Sequence, residues 1–115
     1  MTGPTRIAVS DPSPTFRQGV LTTLAGAGFE AADPTELLRW IAEDRPPVVV
    51  LTVQTPEDWS VLAELRRSHP DAAVIALLTD TGTATYLRAV RAGAAAVPRD
   101  APTALLRLTC CRSIW

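Results

Sequence analysis

The chain has 115 residues, a formal net charge of −1 at pH 7 and a hydrophobic fraction of 47%, which suits one globular domain with a buried core. The near-neutral charge argues against a domain-wide electrostatic surface for nucleic acid, and no apolar run approaches the roughly 20 residues that cross a bilayer. All eleven basic residues are arginine, which excludes chemistry that needs a lysine ammonium. We expect a cytoplasmic protein that binds neither nucleic acid nor membrane.

Short apolar runs alternate with amphipathic stretches, a pattern typical of βα units around a parallel sheet. The first unit begins with a buried strand at residues 7–9. Ser13 follows as the N-cap of a helix, with Pro14 as its first residue. Apolar residues then recur at helical spacing until Gly26 and Gly28 end the helix.

Four further units follow in the same order. Strands are predicted at residues 29–32, 48–51, 74–78 and 94–97, and the uninterrupted β-branched run 48–51 is typical of a central parallel strand. Residues 1–108 are therefore predicted to form a doubly wound (βα)5 domain, a flavodoxin-like three-layer sandwich with a five-stranded parallel sheet. In such sheets the functional crevice lies at the carboxyl ends of the strands, where the strand order reverses.

Three segments of the sequence read, in chain order, AVSDPSPTFRQGV, PPVVVLTVQTP and RAVRAGAAAVPRDA. They resemble the receiver domain of bacterial response regulators, especially those attached to LuxR-type DNA-binding regions, and the similarity covers about residues 5–108. The resemblance implies a domain of two-component signal transduction that regulates transcription. In that family a histidine kinase passes a phosphoryl group to an aspartate at the end of the third strand.

Several positions at the implied phosphorylation site depart from the family's pattern. Thr52 stands at the phosphoacceptor position, and the acidic pair is reduced to Asp11 followed by Pro12. Arg99 stands where receivers have a lysine, and Thr79 takes the hydroxyl position unless the register shifts it to the preceding leucine. Phosphoryl transfer needs a carboxylate nucleophile and further carboxylates on Mg²⁺. We therefore expect a degenerate pocket, in which Asp11 is at most a vestigial metal ligand.

Ordinary structural roles are the first expectation for these side chains. Asp11 is predicted to pair with Arg99, and Thr52 to be a buried strand residue with a satisfied hydroxyl. No Gly-rich phosphate loop follows the first strand, so we expect no cofactor and no enzymatic activity. A receiver without phosphate would act by protein association.

The resemblance implies two possible surfaces for a homodimer. One comprises the fourth and fifth helices with the fifth strand, and the other comprises the first and fifth helices. Tyr86, Arg88 and Arg91 are the candidate residues of the dimer face.

Two other functions stay open at this point. The domain could sense an anionic small molecule near Asp11, Thr52 and Arg99, or it could be a working receiver that uses another phosphoacceptor. Residues 109–115 fit the family poorly and are predicted to be an atypical tail. The chain is then either a stand-alone receiver or a piece of a regulator whose DNA-binding helix-turn-helix region lies elsewhere.

Overall fold

The computed structural model describes residues 6–32, 39, 42, 47–101 and 109, in which strands and helices alternate as predicted. The predicted second and fifth helices and the tail lie almost wholly outside those residues, so the count of five βα units stays a prediction. The strands are β1 (Arg6–Ser10), β2 (Glu30–Ala32), β3 (Val48–Val53), β4 (Ala73–Leu78) and β5 (Ala95–Pro98). The helices are α1 (Pro14–Gly26), α2 (Pro56–Ser68) and α3 (Thr83–Arg91).

The described strands form one parallel sheet in the order β2-β1-β3-β4-β5. The prediction of an α/β fold with a parallel sheet is thereby confirmed. β2 lies on one side of β1, whereas β3, β4 and β5 follow on the other side. The strand order therefore reverses between β1 and β3. The functional crevice of such a sheet is expected at the carboxyl ends of these two strands.

Helices cover both faces of the sheet, and each face buries its own apolar cluster. Val50 of β3 packs in the cluster that includes Val20 of α1. Its neighbour Leu51 packs on the opposite face, with Leu62 of α2. Because side chains alternate along a strand, Thr52 lies on the α1 face of the sheet.

Helix caps fix the loops that leave the carboxyl ends of β1 and β3, and the predicted cap at Ser13 is confirmed. The Ser13 hydroxyl accepts the Phe16 N–H at 3.3 Å at the start of α1. At the start of α2, Thr55 and Asp58 form a reciprocal capping box. Both helices have proline as their first residue. No helix in the described part of the chain is long and apolar enough to cross a membrane.

The turn between α3 and β5 depends on a glycine. Gly93 has a φ of +87°, and a Cβ there would lie 2.8 Å from Nε of Arg66. Arg66 itself donates to the Ala72 carbonyl at 2.6 Å. The turn directs β5 along β4, and the Arg99 N–H donates to the Leu78 carbonyl at 2.9 Å. Arg99 is thereby held at the carboxyl edge of the sheet.

Candidate functional site

The carboxylate of Asp11 is the centre of the crevice between β1 and β3, and its side chain has no exposed surface. Its Oδ1 accepts the Ser13 N–H at 2.8 Å and Nη2 of Arg99 at 3.0 Å. Its Oδ2 accepts Nε of Arg99 at 2.8 Å and the hydroxyl of Thr52. An ionised carboxylate offers about four lone-pair sites, so these four hydrogen bonds occupy it fully.

Arg99 reaches Asp11 from the opposite end of the chain, and the predicted salt bridge is confirmed. The guanidinium binds both carboxylate oxygens as a planar fork, a geometry that the single ammonium of a lysine does not reproduce. It also lies 4.0 Å from the centroid of the Phe16 ring, a cation–π contact. The side chain of Arg99 is 24% exposed, so Arg99 forms the outer wall of the site and covers Asp11.

Thr52 is the penultimate residue of β3 and is 2% exposed. Its hydroxyl proton is donated to Asp11, so the prediction of a buried strand residue with a satisfied hydroxyl is confirmed. A threonine becomes a nucleophile only when a base takes that proton. The nearest base is Asp11, whose oxygens already accept four hydrogen bonds.

The ionisation of Asp11 follows from these contacts. Burial alone raises the pKa of the carboxyl group. Hydrogen bonds from Arg99, Thr52 and the Ser13 N–H, together with the charge of Arg99, lower it further than burial raises it, so the pKa lies below its ordinary value. The hydrogen bond to Asp11 correspondingly raises the pKa of Arg99. Asp11 is therefore a weak base, and the pair stays charged at neutral pH.

This pKa shift predicts a loss of stability in acid. A carboxyl group whose pKa is lowered on folding contributes its full stability above the unfolded pKa, about 3.9. That contribution disappears as the pH falls through the lower, folded pKa. We expect the free energy of unfolding to decrease as the pH falls below about 4, measured by urea denaturation at a series of pH values. Asp11→Asn should flatten this decrease more than Asp80→Asn, which removes an exposed carboxylate whose pKa is also lowered. Equal slopes in the parent and Asp11→Asn would contradict the prediction.

The remaining two pocket positions predicted from the sequence do not join the Asp11 cluster. Pro12 is exposed and brings no carboxylate to the site. Thr79 follows β4 directly, is exposed, and lines a separate hollow on the α2 and α3 side of the sheet. The alternative position, Leu78, is buried in the apolar core, so the hydroxyl at the end of β4 is that of Thr79.

The site does not fit a magnesium ion. Mg²⁺ in phosphoryl-transfer sites is held by one or two carboxylates that leave room for water and phosphate. Here one carboxylate is present, and its lone pairs are taken by Arg99, Thr52 and Ser13. No group of three or more His, Cys, Asp or Glu side chains in the described part of the chain could hold a metal ion.

Little space for an anionic ligand is left beside Arg99. The cavity that the described residues leave there, bounded by Phe16 and Arg99, measures about 20 Å³. That volume suits about one water molecule. The guanidinium is also already engaged, since its N–H groups bind Asp11 and its plane covers the Phe16 ring.

The three candidate residues of the dimer face are spread around α3. Tyr86 is half-buried and packs against the core, whereas Arg91 is exposed. The guanidinium of Arg88 lies 4.2 Å from the ring centroid of Trp59 on α2. Helical geometry separates Tyr86 and Arg88 by about 160° around the axis, so they do not share one surface.

Solved structures of response-regulator receiver domains have this fold. A response regulator from Thermotoga maritima superposes with a TM-score of 0.86 at 19% identity, over 98% of each chain. A CheY-like receiver domain protein from Methanospirillum hungatei gives 0.88 at 15% identity, over 97% of this chain and 94% of its own. An orphan response regulator of H. pylori gives 0.87 at 12% identity, over the whole of both chains. The sequence matches no protein-family model and no curated protein.

The structure therefore has the fold of response-regulator receiver domains. At these identities the likeness concerns the fold, and the function has to be argued from the residues of the crevice.

Proposed function

We propose that the chain is a receiver domain that works without phosphorylation and acts by association with a second copy of itself. The proposal rests on Asp11, whose two carboxylate oxygens accept four hydrogen bonds and have no lone pair left for a metal ion. Two come from Arg99, one from the Thr52 hydroxyl and one from the Ser13 N–H. The domain would then be regulated by concentration or by a partner, rather than by phosphate.

The chemistry of phosphoryl transfer supports this proposal. An acyl phosphate forms only on a carboxylate, and position 52 carries a hydroxyl group in its place. The transferred phosphoryl group also needs a metal to neutralise its charge, whereas the Asp11 carboxylate is engaged by Arg99. Together these two features leave the crevice without a nucleophilic carboxylate and without a free metal ligand, and so stop the reaction.

The biological setting belongs to the same proposal. The sequence segments that resemble LuxR-type regulators support a role in cytoplasmic signal transduction and transcription regulation. A DNA-binding region would then lie outside these 115 residues. The structural neighbour from H. pylori is itself described as an orphan response regulator.

The outer face of α3 is the surface that we assign to self-association. Leu87 and Val90 are 47% and 57% exposed, and they lie three residues apart on one side of the helix. The neighbouring strand β5 is an edge of the described sheet. Exposed apolar side chains beside a sheet edge are typical of interaction surfaces. We therefore assign the proposed dimer face to Leu87 and Val90, and no longer to Tyr86 and Arg88.

The helix dipoles favour a second copy in the antiparallel orientation, because two α3 helices that pack through Leu87 and Val90 in this way have opposed dipoles. A stable interface buries about 800 Å² per partner, so we expect two exposed apolar side chains to support weak, concentration-dependent association.

Sedimentation equilibrium over a wide concentration range tests the association. We expect a monomer–dimer equilibrium that is unaffected by Mg²⁺ and acetyl phosphate. Leu87→Glu and Val90→Glu should each weaken it by about tenfold or more, since a buried unpaired charge costs well over 1.4 kcal/mol. Thr22→Glu places the same charge on the exposed side of α1 and should have no effect. A monomer at every concentration, or dissociation by Thr22→Glu alone, would contradict the proposed surface.

A further inference from the structure

A second hollow lies on the other face of the sheet from Asp11. It measures about 280 Å³ and opens between the loop after β3 and the first turns of α3. Val53, the residue after Thr52, contributes to it, and alternation along the strand places Val53 on the α2 and α3 side. The side chains that line it are Val53, Gln54, Trp59, Thr79, Asp80, Ala84, Thr85 and Arg88.

Arg88 lies at the edge of this hollow, and no other described residue uses its hydrogen-bond donors. Its guanidinium lies 4.2 Å from the centroid of the Trp59 ring, and Trp59 is half-buried against the core. Within the described ranges it has neither an ion pair nor a hydrogen bond. By contrast, Arg67 pairs with Glu64 and Arg99 pairs with Asp11. The Trp59 ring therefore positions a guanidinium whose five N–H groups remain available for a ligand.

The other polar groups of the hollow leave it suited to a ligand with a single negative charge. The side chains of Gln54 and Thr79 make no hydrogen bond to any other described residue, so both can still bind a ligand. Asp80 already accepts the Gly82 N–H at 2.9 Å and the Thr85 hydroxyl at 2.8 Å. Its negative charge nevertheless faces the same space and disfavours a phosphate dianion.

The geometry points to a binding site for a small planar carboxylate, for which we propose two contacts. The carboxylate pairs with the guanidinium of Arg88, whose fork matches two carboxylate oxygens. The ring lies on the apolar floor formed by Val53, Trp59 and Ala84. A volume of about 280 Å³ is at the lower end for ligand pockets and suits a molecule with one ring. This site is separate from the Asp11 cluster and does not depend on the function proposed above.

A titration of the ¹⁵N-labelled chain with benzoate, followed by NMR, tests the site. We expect saturable shifts of the Trp59 indole N–H and the Arg88 Nε–H signals, with a dissociation constant in the millimolar range. Benzamide has the same ring and no charge. Its dissociation constant should be at least about tenfold higher, because it lacks the charge-assisted pair with Arg88. Shifts confined to Arg99 and Phe16, or no saturable shift at Trp59, would overturn the assignment.

Two matched variants distinguish benzoate binding at this site from nonspecific attraction of an anion to positive charge. Arg88→Gln removes the guanidinium that faces the hollow and should weaken benzoate binding by about tenfold or more. Arg67→Gln removes an equal charge from the exposed last turn of α2 and should leave benzoate binding unchanged. The spectra of both variants also report whether the fold is intact. Equal binding to parent and Arg88→Gln, or equal loss in both variants, would overturn the proposal.

Discussion

Asp11→Asn is expected to lower the free energy of unfolding at pH 7 by about 3–5 kcal/mol. The substitution keeps the shape of the side chain but removes the charge that Arg99 neutralises. The amide nitrogen of the new side chain also cannot accept a hydrogen bond, so it faces donors from Arg99 or Thr52 that it cannot satisfy. Urea denaturation at neutral pH measures the loss directly.

A double-mutant cycle assigns this loss to the pair. Arg99→Gln should also destabilise the domain, because it leaves the buried carboxylate of Asp11 without its counter-ion. Asp11→Asn combined with Arg99→Gln should cost less than the sum of the two, by about 0.5–3 kcal/mol. Asp100→Asn changes the exposed neighbour of Arg99 and should stay within about 0.5 kcal/mol of the parent. Strict additivity of the two changes would contradict the account of the site.

Thr52→Asp is expected to be destabilising in the absence of metal and to become sensitive to Mg²⁺. The hydrogen bond from Thr52 to Asp11, worth about 1.5–3 kcal/mol when its acceptor is charged, is replaced by repulsion between two buried carboxylates. Two adjacent carboxylates are also a better magnesium site than one. Saturating Mg²⁺ at about 100 times its dissociation constant should then restore about 2.7 kcal/mol.

Thr52→Asn is the matched control for this variant. It introduces a side chain of the same size as aspartate but adds no charge, so its stability should not respond to Mg²⁺. Denaturation curves with Mg²⁺ and with a chelator compare the parent and both variants. Two results would contradict this explanation of the site: a parent whose stability rises with Mg²⁺, or a Thr52→Asp variant whose stability does not change with Mg²⁺.

Local sequence signals predict most of the described fold. Ser13 and Thr55 begin α1 and α2 as N-caps, and their side chains form the expected hydrogen bonds. Gly93 ends the α3 region with a positive φ, as expected of a residue without a Cβ. These features depend on neighbouring residues, and for that reason they are visible in the sequence.

The site could be predicted only in part, because its contacts join distant segments. Asp11 and Arg99 are 88 positions apart, and their pairing was inferred by placing both residues in the register of a known family. The stacking of Arg88 on Trp59 and the exposure of Leu87 were not predicted. Both depend on how α3 is rotated against the sheet: Ala89 is the buried residue of this helix, whereas Leu87 and Val90 face outward, the reverse of what an amphipathic pattern predicts.

The central claim is that this crevice does not accept a phosphoryl group. Incubation of the chain with acetyl phosphate and Mg²⁺, followed by intact mass spectrometry under mild conditions, tests it most directly. The account predicts an unchanged mass, because Thr52 offers no carboxylate and Asp11 is closed by Arg99 and Ser13. A mass increase of one phosphoryl group that hydroxylamine removes, as expected of an acyl phosphate, would contradict it.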